Sequence, residues 1–283
     1  MNWKTLISAE ELAGAIDACI VVDCRHDLLD PAAGRRSYEA GHIPSAFFFD
    51  MESDLSGPKN GRNGRHPLPD RQALCQRLAQ IGLEEGKQLV AYDAHGGAMA
   101  ARLWCVARWL GHEAVAVLDG DLRAWQAAGF PLTTEPAPTP PQPGHLPDRP
   151  PLDSLVDADK VASMIDSERM FLIDARAPDR YAGIVEPIDP VAGHIPGAVN
   201  RFYAGNLRPD GRFKPAEVLR QEYLALLGGK EAERVVHQCG SGITACHNLL
   251  AMQHAGLAGA QLYPGSWSEW VSDPQRPVAR DSA

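Results

Sequence analysis

The chain has 283 residues, of which 45% are hydrophobic and 22% charged, and its formal net charge is −9 at pH 7. This length favours two domains over one, and the composition is ordinary for a globular protein. Since the net charge is negative and no long basic run occurs, we expect no nucleic-acid partner and no anionic membrane surface. A locally positive site for a small anion is still compatible with this composition.

The sequence contains no run of about eighteen apolar residues, so we expect no membrane-spanning segment. Its start, Met1–Leu6, lacks a basic flank followed by an apolar stretch, which argues against a secretion signal. The six cysteines form no CxxC pair and no regular disulfide spacing. We therefore expect reduced thiols in a cytoplasmic protein, with no metal and no organic cofactor.

Short apolar runs alternate with helical patterns along the whole chain. Ser8 and Glu11 have the spacing of a capping box, which predicts a helix start. Strands are predicted at Cys19–Asp23, Gln88–Tyr92, Val115–Leu118, Phe171–Asp174, Arg234–His237 and Ala260–Tyr263. Helices are predicted over Arg71–Ile81, Ala98–Leu110, Pro215–Leu227 and Ile243–Ala255. This alternation indicates an α/β fold whose parallel sheets carry helices on both faces, with ligands bound beyond the carboxyl ends of the strands.

A proline-rich segment divides the chain into nearly equal halves. Eight prolines lie between residues 136 and 151, a density that excludes a helix or an inner strand and favours an extended linker. The predicted organisation is a first domain over residues 1–132, a linker over 133–152 and a second domain over 153–283.

The two halves share sequence motifs at a nearly constant offset, which indicates a duplicated domain. An Asp-x-Arg motif occurs at Asp23 and again at Asp174. A Gly-His-Ile-Pro motif occurs over residues 41–44 and again over 193–196. Because His42 and His194 recur in both halves, we expect them to be structural turn residues.

One strand-to-helix loop has the composition of a reactive-cysteine site. A predicted strand ends just before Cys239. Gly240, Ser241 and Gly242 follow the cysteine, and a helical pattern begins directly after them. Glycines can adopt backbone angles that turn successive N–H groups toward one point, and a helix N-terminus adds partial positive charge. We expect Cys239 to ionise readily there and to act as a nucleophile, with the same N–H groups stabilising a persulfide anion.

The first half provides an internal comparison for this loop. At the equivalent strand end it reads Tyr92-Asp93-Ala94-His95-Gly96-Gly97, so Asp93 stands where Cys239 stands in the second half. A carboxylate cannot carry sulfane sulfur. The first domain is therefore predicted to be catalytically silent.

These features together resemble the two-domain sulfurtransferases of the rhodanese superfamily, and the resemblance covers nearly the whole chain. It implies two tandem rhodanese-like domains with one active site between them. It also implies that Cys239 takes sulfur from a small anionic donor and passes it to a thiol acceptor, such as thioredoxin or a small thiol, or to cyanide.

The family divides by the residues that follow the cysteine. Thiosulfate-preferring enzymes tend to read Cys-Arg-Lys-Gly, whereas enzymes for 3-mercaptopyruvate tend to read Cys-Gly-Ser-Gly-Val-Thr; this chain has Ile243 in place of the valine. We expect 3-mercaptopyruvate as donor, with thiosulfate as the alternative. A non-catalytic sulfur-carrier or redox-sensing module also stays open. Phosphatases of this fold use Cys-x5-Arg, and Ala245 stands at that arginine position, which argues against phosphoryl chemistry.

The resemblance also implies roles for individual residues. Arg180 matches the position that binds the donor's carboxylate, and the loop residues Gly240, Gly242, Ile243 and Thr244 are expected to line the donor site. Arg176 is a further candidate for binding, although the repeat with Arg25 favours a structural role.

Ser241 and His66 are the candidates for a proton relay. His66 matches a family histidine that faces the active loop from the first domain. One departure concerns the residues from Gly183 to Pro190, where the 3-mercaptopyruvate enzymes usually carry a second arginine and this chain has none.

Overall fold

The computed structural model describes residues 2–165, 167 and 169–281, which form two compact units. Unit 1 contains the chain up to Gly57 together with Leu68–Leu152 and Leu207–Phe213. Unit 2 contains Pro58–Pro67, Asp153–Asn206 and the chain from Lys214 onward. Each unit therefore includes a short segment from the opposite half of the sequence.

Unit 1 is built on a parallel sheet. Its strands are β1 (Leu6–Ile7), β2 (Cys19–Asp23), β3 (Phe47–Phe48), β4 (Gln88–Tyr92) and β5 (Val115–Leu118). Its α-helices are α1 (Ala9–Ala15), α2 (Ala33–Ala40), α3 (Arg71–Gln80), α4 (Ala100–Trp109) and α5 (Asp121–Ala127), with a 3₁₀ turn over Ile16–Ala18. The strand order is β1-β5-β4-β2-β3, and each neighbouring pair is parallel.

Helices cover both faces of this sheet. Val21, Val90 and Ala116 share one buried cluster with Leu12 of α1 and Trp125 of α5. Side chains alternate between faces along a strand, so the intervening strand residues point to the other face. Helix α4, which is buried from Ala100 to Arg108, packs there against β4 and β5.

Unit 2 repeats this plan. Its strands are β6 (Phe171–Asp174), β7 (Val199–Asn200), β8 (Val235–Gln238) and β9 (Gln261–Leu262). Its α-helices are α6 (Ala158–Ala162), α7 (Pro178–Ala182), α8 (Ala216–Leu227), α9 (Thr244–His254) and α10 (Ser266–Trp270), with 3₁₀ turns over Tyr203–Asn206 and Ala232–Arg234. The strand order is β7-β6-β8-β9, again parallel throughout.

The structure confirms the predicted α/β class and most of the predicted elements. Four predicted strands have the same bounds as β2, β4, β5 and β6, and the other two match β8 and β9 within one residue at each end. The capping box is also present, since Ser8 Oγ accepts a hydrogen bond from the Glu11 N–H at 3.1 Å. Strands β1, β3 and β7, of two residues each, were not predicted.

The proline-rich segment lies along unit 1 without forming a helix, in a part of the chain that the structure describes throughout. The Gly144 N–H donates to the Ala79 carbonyl at the end of α3, at 2.8 Å. Leu146 is buried against this surface. The segment forms no helix and contacts the rest of unit 1 through Gly144 and Leu146, while most of its residues are exposed.

The duplicated motifs form the same contacts in both units. The Arg25 guanidinium binds the Asp23 carboxylate and the Gly41 carbonyl at 2.6 and 2.7 Å. Arg176 binds the Asp174 carboxylate and the Gly193 carbonyl at the same two distances. Each clasp joins the end of a central strand to a Gly-His-Ile-Pro turn.

The two motif histidines also match each other. His42 stacks on Tyr38 with ring centroids 3.9 Å apart, and His194 stacks on Tyr181 at 4.0 Å. In each case the histidine Nδ1 is hydrogen-bonded to the carbonyl of that tyrosine. These contacts support the structural role expected from the repeat.

None of the helices within the described ranges combines the length and the apolarity needed to cross a bilayer.

Candidate active site

The loop between β8 and α9 is shaped around the Cys239 sulfur. Gly242 has a φ of +79°, in the left-handed region where a side chain is disfavoured. A Cβ at this position would lie 2.1 Å from the Pro264 carbonyl oxygen, so the site admits only glycine without rearrangement. In this conformation the Gly242 N–H donates a hydrogen bond to Cys239 Sγ at 3.1 Å.

The start of α10 holds the loop in place. Ser266 Oγ accepts a hydrogen bond from the Cys239 N–H at 3.0 Å. The N–H groups of Trp267 and Ser268 donate to the carbonyls of Cys239 and Gly240 at 3.0 and 2.9 Å. The backbone on either side of the sulfur is therefore fixed by a neighbouring element.

A second cysteine supports the turn itself. Cys246, on the first turns of α9, lies with its Sγ 3.2 Å from the Gly242 carbonyl oxygen, to which the thiol donates. This contact restrains the residue whose N–H points at Cys239. Cys246 thus has a structural place in the loop.

Ser241 and His66 lie together within unit 2. His66 Nδ1 and Ser241 Oγ are 2.8 Å apart, and both residues are buried. His66 belongs to the segment Pro58–Pro67 that packs with unit 2. The Arg65 N–H anchors this segment by donating to Ser268 Oγ at 3.0 Å.

Two guanidinium groups lie beside Gly240. A Cβ at Gly240 would be 3.0 Å from Arg65 Nη2 and 3.6 Å from Arg180 Nη1. Glycine at this position therefore leaves room for both cations next to the reactive loop. The arginine pair thus places two positive charges at the edge of that loop.

Two carboxylates from the loop after α7 pair with these arginines. Glu186 accepts two hydrogen bonds from Arg180, at 2.7 and 3.2 Å. Asp189 Oδ2 lies 3.2 Å from Arg180 Nη2, and Asp189 Oδ1 accepts a hydrogen bond from Arg65. The positive charges at the site are thus balanced by carboxylates of the same unit.

The two carboxylates differ in how well they are stabilised. Burial alone would raise the pKa of Glu186, but hydrogen bonds from Arg180 and from the N–H groups of Ile188 and Asp189 lower it below its ordinary value. Burial raises the pKa of Asp189, although Arg65 and Arg180 act in the opposite direction. The ionised form is therefore better stabilised at Glu186 than at Asp189.

The guanidinium group of Arg176 already donates hydrogen bonds to other residues of unit 2. Besides Asp174 and the Gly193 carbonyl, its guanidinium approaches Glu186 at 3.5 Å and lies over the Trp267 ring at 4.7 Å from the centroid. The residue is 3% exposed. The contacts with Asp174 and Gly193 match those of Arg25 in unit 1 and suit a structural role better than direct donor binding.

Ile243 and Thr244 complete the path from the sulfur to the helix. Thr244 is the first residue of α9, and Ile243 is buried directly before it. Their backbone N–H groups belong to the helix N-terminus, which carries a partial positive charge. All predicted site residues thus lie in unit 2, and Cys239, Ser241, His66 and Arg180 are grouped around the loop.

In the equivalent loop of unit 1, the side-chain carboxylate of Asp93 stands at the position of the cysteine. The Asp93 carboxylate accepts four backbone hydrogen bonds, at 2.7 to 2.9 Å, from His95, Gly97, Met99 and Ala100. A carboxylate oxygen is the third atom beyond Cα, as the outer sulfur of a cysteine persulfide also is. The loop architecture of this chain therefore accommodates a negative charge at that distance from the backbone.

Sequence reasoning did not assign Arg65, Glu186 or Asp189 to the site, although Glu186 was one of two possible ion-pair partners for Arg180. Arg65 precedes His66 directly, and this adjacency was the available indication that it also reaches the loop. The two acidic residues lie in the segment where an arginine was expected. Only the folded structure shows that they face the cations.

The sequence matches the family model of the rhodanese-like domain twice, over residues 8–128 and 157–273. A probable 3-mercaptopyruvate sulfurtransferase from Pseudomonas aeruginosa is 47% identical over 283 residues, covering 99% of each chain. A putative thiosulfate sulfurtransferase from Mycobacterium tuberculosis is 38% identical over 286 residues, covering 99% of this chain and 98% of its own.

Among solved structures, the 3-mercaptopyruvate sulfurtransferase from Leishmania major superimposes with a TM-score of 0.83 at 30% identity. The match covers 94% of this chain and 74% of that one. Similarity in sequence and similarity in structure thus lead to the same family.

Replacing Gly242 by alanine tests the geometry of the loop. The added Cβ collides with the Pro264 carbonyl, so the N–H at position 242 moves away from the sulfur. Losing this donor disfavours the thiolate, but a less stabilised thiolate is also a stronger nucleophile, so alkylation of Cys239 by iodoacetamide should slow roughly threefold. Mass spectrometry of the alkylated peptide over time measures this rate.

Gly228→Ala is the matched control, because Gly228 also has a positive φ but has no atom within 4 Å of the added Cβ. It should react at the wild-type rate, with circular dichroism confirming the fold of both variants. Equal alkylation rates in Gly242→Ala and the wild type would show that the turn does not activate the sulfur.

Proposed function

Since the chain belongs to the family of rhodanese-like domain proteins, we propose that it is a sulfurtransferase that moves sulfane sulfur from 3-mercaptopyruvate to a thiol or cyanide acceptor. The observation that carries the proposal is the Gly242 N–H aimed at Cys239 Sγ within a loop that leads into a helix N-terminus. The relatives named above, which include enzymes for 3-mercaptopyruvate and for thiosulfate, support the same class of reaction.

The first half-reaction forms a persulfide on Cys239. The thiolate attacks the sulfur of 3-mercaptopyruvate and a sulfur–sulfur bond forms. The donor's carbon–sulfur bond breaks, and its electron pair leaves on the enolate of pyruvate. The enolate takes up a proton to become pyruvate. The proton of the donor's thiol is lost from the new persulfide, which remains on Cys239 as an anion. Backbone N–H groups that stabilise this anion lower the barrier for its formation.

Arg180 and Arg65 are proposed to hold the donor's carboxylate. Their guanidinium groups lie beside Gly240, one residue from the nucleophile, and planar guanidinium groups bind carboxylates in a fixed geometry. Arg65 would supply the second cation that the residues between Gly183 and Pro190 lack. The donor's reactive sulfur is then held near Cys239, which reduces the entropic cost of the reaction.

Ser241 is proposed to supply the proton that the enolate needs, with His66 replenishing it. The 2.8 Å separation of His66 Nδ1 and Ser241 Oγ supports this relay. Arg176 is proposed as a positioning residue, since Asp174 and the Gly193 carbonyl occupy its guanidinium. It also restrains Glu186 and thereby Arg180.

The second half-reaction returns the cysteine to its thiolate form. A thiol such as thioredoxin or a small thiol, or cyanide, attacks the outer sulfur, and Cys239 is the leaving group. The proposal involves no metal and no organic cofactor, and it assigns the protein to the cytoplasm. The absence of CxxC pairs and of disulfide-type spacing in the sequence supports that location.

Thiosulfate is the second candidate donor because a relative of 38% identity is named for it. Thiosulfate carries two negative charges and gains from uncompensated cations. The arginines beside Gly240 are paired with Glu186 and Asp189, which favours the singly charged 3-mercaptopyruvate. We expect a higher kcat/KM for 3-mercaptopyruvate than for thiosulfate.

Intact-mass measurement tests the nucleophile. After incubation with 3-mercaptopyruvate and removal of the excess, the wild-type protein should gain one sulfur atom, and Cys239→Ser should gain none. Cys246→Ser is the matched control and should still gain the sulfur. The hydroxyl of the new serine can donate to the Gly242 carbonyl as the Cys246 thiol does, so the loop keeps its shape.

Sulfur on Cys239→Ser would contradict the assignment of the nucleophile. Loading of the wild type without steady-state turnover of either donor would instead favour a sulfur-carrier or redox-sensing module.

Ser241→Ala tests the proton relay by comparing two donors. With 3-mercaptopyruvate the leaving enolate needs a proton, so kcat should fall roughly hundredfold, as is typical when a general acid is lost. With thiosulfate the leaving sulfite is a stable anion that needs no proton, so kcat should change far less. Ser272→Ala, a serine in unit 2 whose hydroxyl donates to the Glu269 carbonyl, should leave both rates unchanged. Equal losses with both donors would count against a relay.

A further inference from the structure

The reactive sulfur is covered in this structure. Cys239 is 2% exposed, and Ser241 and His66 beside it are also buried. The side chains of Arg65 and Arg180 are 26% and 18% exposed, so they form the solvent-facing edge of the site. A donor that reaches the sulfur must therefore displace a group at this edge.

Asp189 links the two arginines at that edge. One carboxylate oxygen contacts Arg65 and the other contacts Arg180, while both guanidinium groups approach the Cβ position of Gly240. A carboxylate bridging two guanidinium groups beside the reactive loop is the arrangement that a bound carboxylate donor would also adopt.

Asp189 is held less firmly than its neighbour Glu186. Glu186 receives two hydrogen bonds from Arg180 and one each from the backbone N–H groups of Ile188 and Asp189. The pKa of Glu186 is lowered, whereas burial raises that of Asp189. Of the two carboxylates, Asp189 is therefore the one whose displacement costs less.

We propose that Asp189 is an internal carboxylate that occupies the donor's anion site, and that the carboxylate of the donor displaces it from Arg65 and Arg180. Glu186 stays bound to Arg180 and keeps that arginine in place. The proposal rests on the proposed function for the identity of the donor.

This exchange also discriminates between donors by charge. Arg65, Arg176 and Arg180 are balanced by Asp174, Glu186 and Asp189. Replacing the carboxylate of Asp189 by that of 3-mercaptopyruvate keeps the balance, whereas a dianion such as thiosulfate leaves one excess negative charge. Asp189 is thus a specificity-determining residue that selects for monoanionic donors.

Asp189→Asn tests the proposal, since asparagine has nearly the same shape but no charge to compete for the arginines. The KM for 3-mercaptopyruvate should fall roughly tenfold with kcat unchanged, because a charge-assisted contact no longer has to be broken. The KM for thiosulfate should fall by a larger factor, since the variant has one uncompensated cation. Asp189→Ala serves as a second variant if the asparagine fails to fold.

Two further variants separate this effect from general changes in charge or structure. Asp159→Asn removes the same charge from a side chain that is 95% exposed, and it should behave as the wild type. Glu186→Gln should raise the KM, because it weakens the group that positions Arg180. If both carboxylates only supported the arginines, the substitutions at positions 186 and 189 would change the KM in the same direction.

A binding measurement makes the test independent of sulfur transfer. Calorimetry with pyruvate, which has the donor's carboxylate, compares Cys239→Ser with Cys239→Ser/Asp189→Asn; the double variant should bind roughly tenfold more tightly. If the wild type turns over neither donor but this difference is found, the proposed function fails and the role of Asp189 stands. If Asp189→Asn leaves pyruvate affinity unchanged or weakens it, or if Cys239→Ser binds no pyruvate in either background, the role of Asp189 is refuted.

Discussion

The hydrogen bond from the Gly242 N–H to the Cys239 sulfur determines much of the surrounding structure. It requires a left-handed turn, and the nearby Pro264 carbonyl restricts that turn to glycine. It also requires a fixed backbone on both sides of the sulfur, which Ser266 and its neighbours in α10 provide. A parallel sheet suits this purpose because β8 delivers the cysteine directly to a helix N-terminus, where an anion is stabilised.

The duplication separates the contacts that both units share from the loop residues in which the units differ. Both units have the Asp-Arg clasp and the stacked tyrosine–histidine pair, so these features stabilise the fold. At the loop the units differ, because unit 1 has Asp93 and unit 2 has Cys239. In unit 1 the Asp93 carboxylate accepts hydrogen bonds from four backbone N–H groups. In unit 2 the cysteine side chain ends one atom earlier, at the sulfur that accepts the Gly242 N–H, which leaves room for the outer sulfur of the proposed persulfide.

The sequence predicted the class of fold, the central strands and the position of Cys239 between a strand and a helix, because each depends on local patterns. Apolar runs bounded by turn residues defined the strands, and the repeat predicted a structural role for Arg176 through its match to Arg25. The contributions of Arg65 and Asp189 could not be predicted in this way. Their ion pair joins residues 124 positions apart, and the segment Pro58–Pro67 has no apolar periodicity that would reveal its packing in unit 2. The missing arginine after Gly183 was visible in the sequence, whereas the position of Arg65 beside Gly240 was not.

The central claim is that the backbone N–H groups of the loop hold the outer sulfur of a Cys239 persulfide. A crystal structure of the protein after incubation with 3-mercaptopyruvate tests this most directly. We expect density for one additional atom on Sγ, within hydrogen-bonding distance of N–H groups between Gly242 and Ala245, as the carboxylate of Asp93 is held in unit 1. An outer sulfur directed away from these groups, or an unmodified Cys239 under conditions of turnover, would contradict the account.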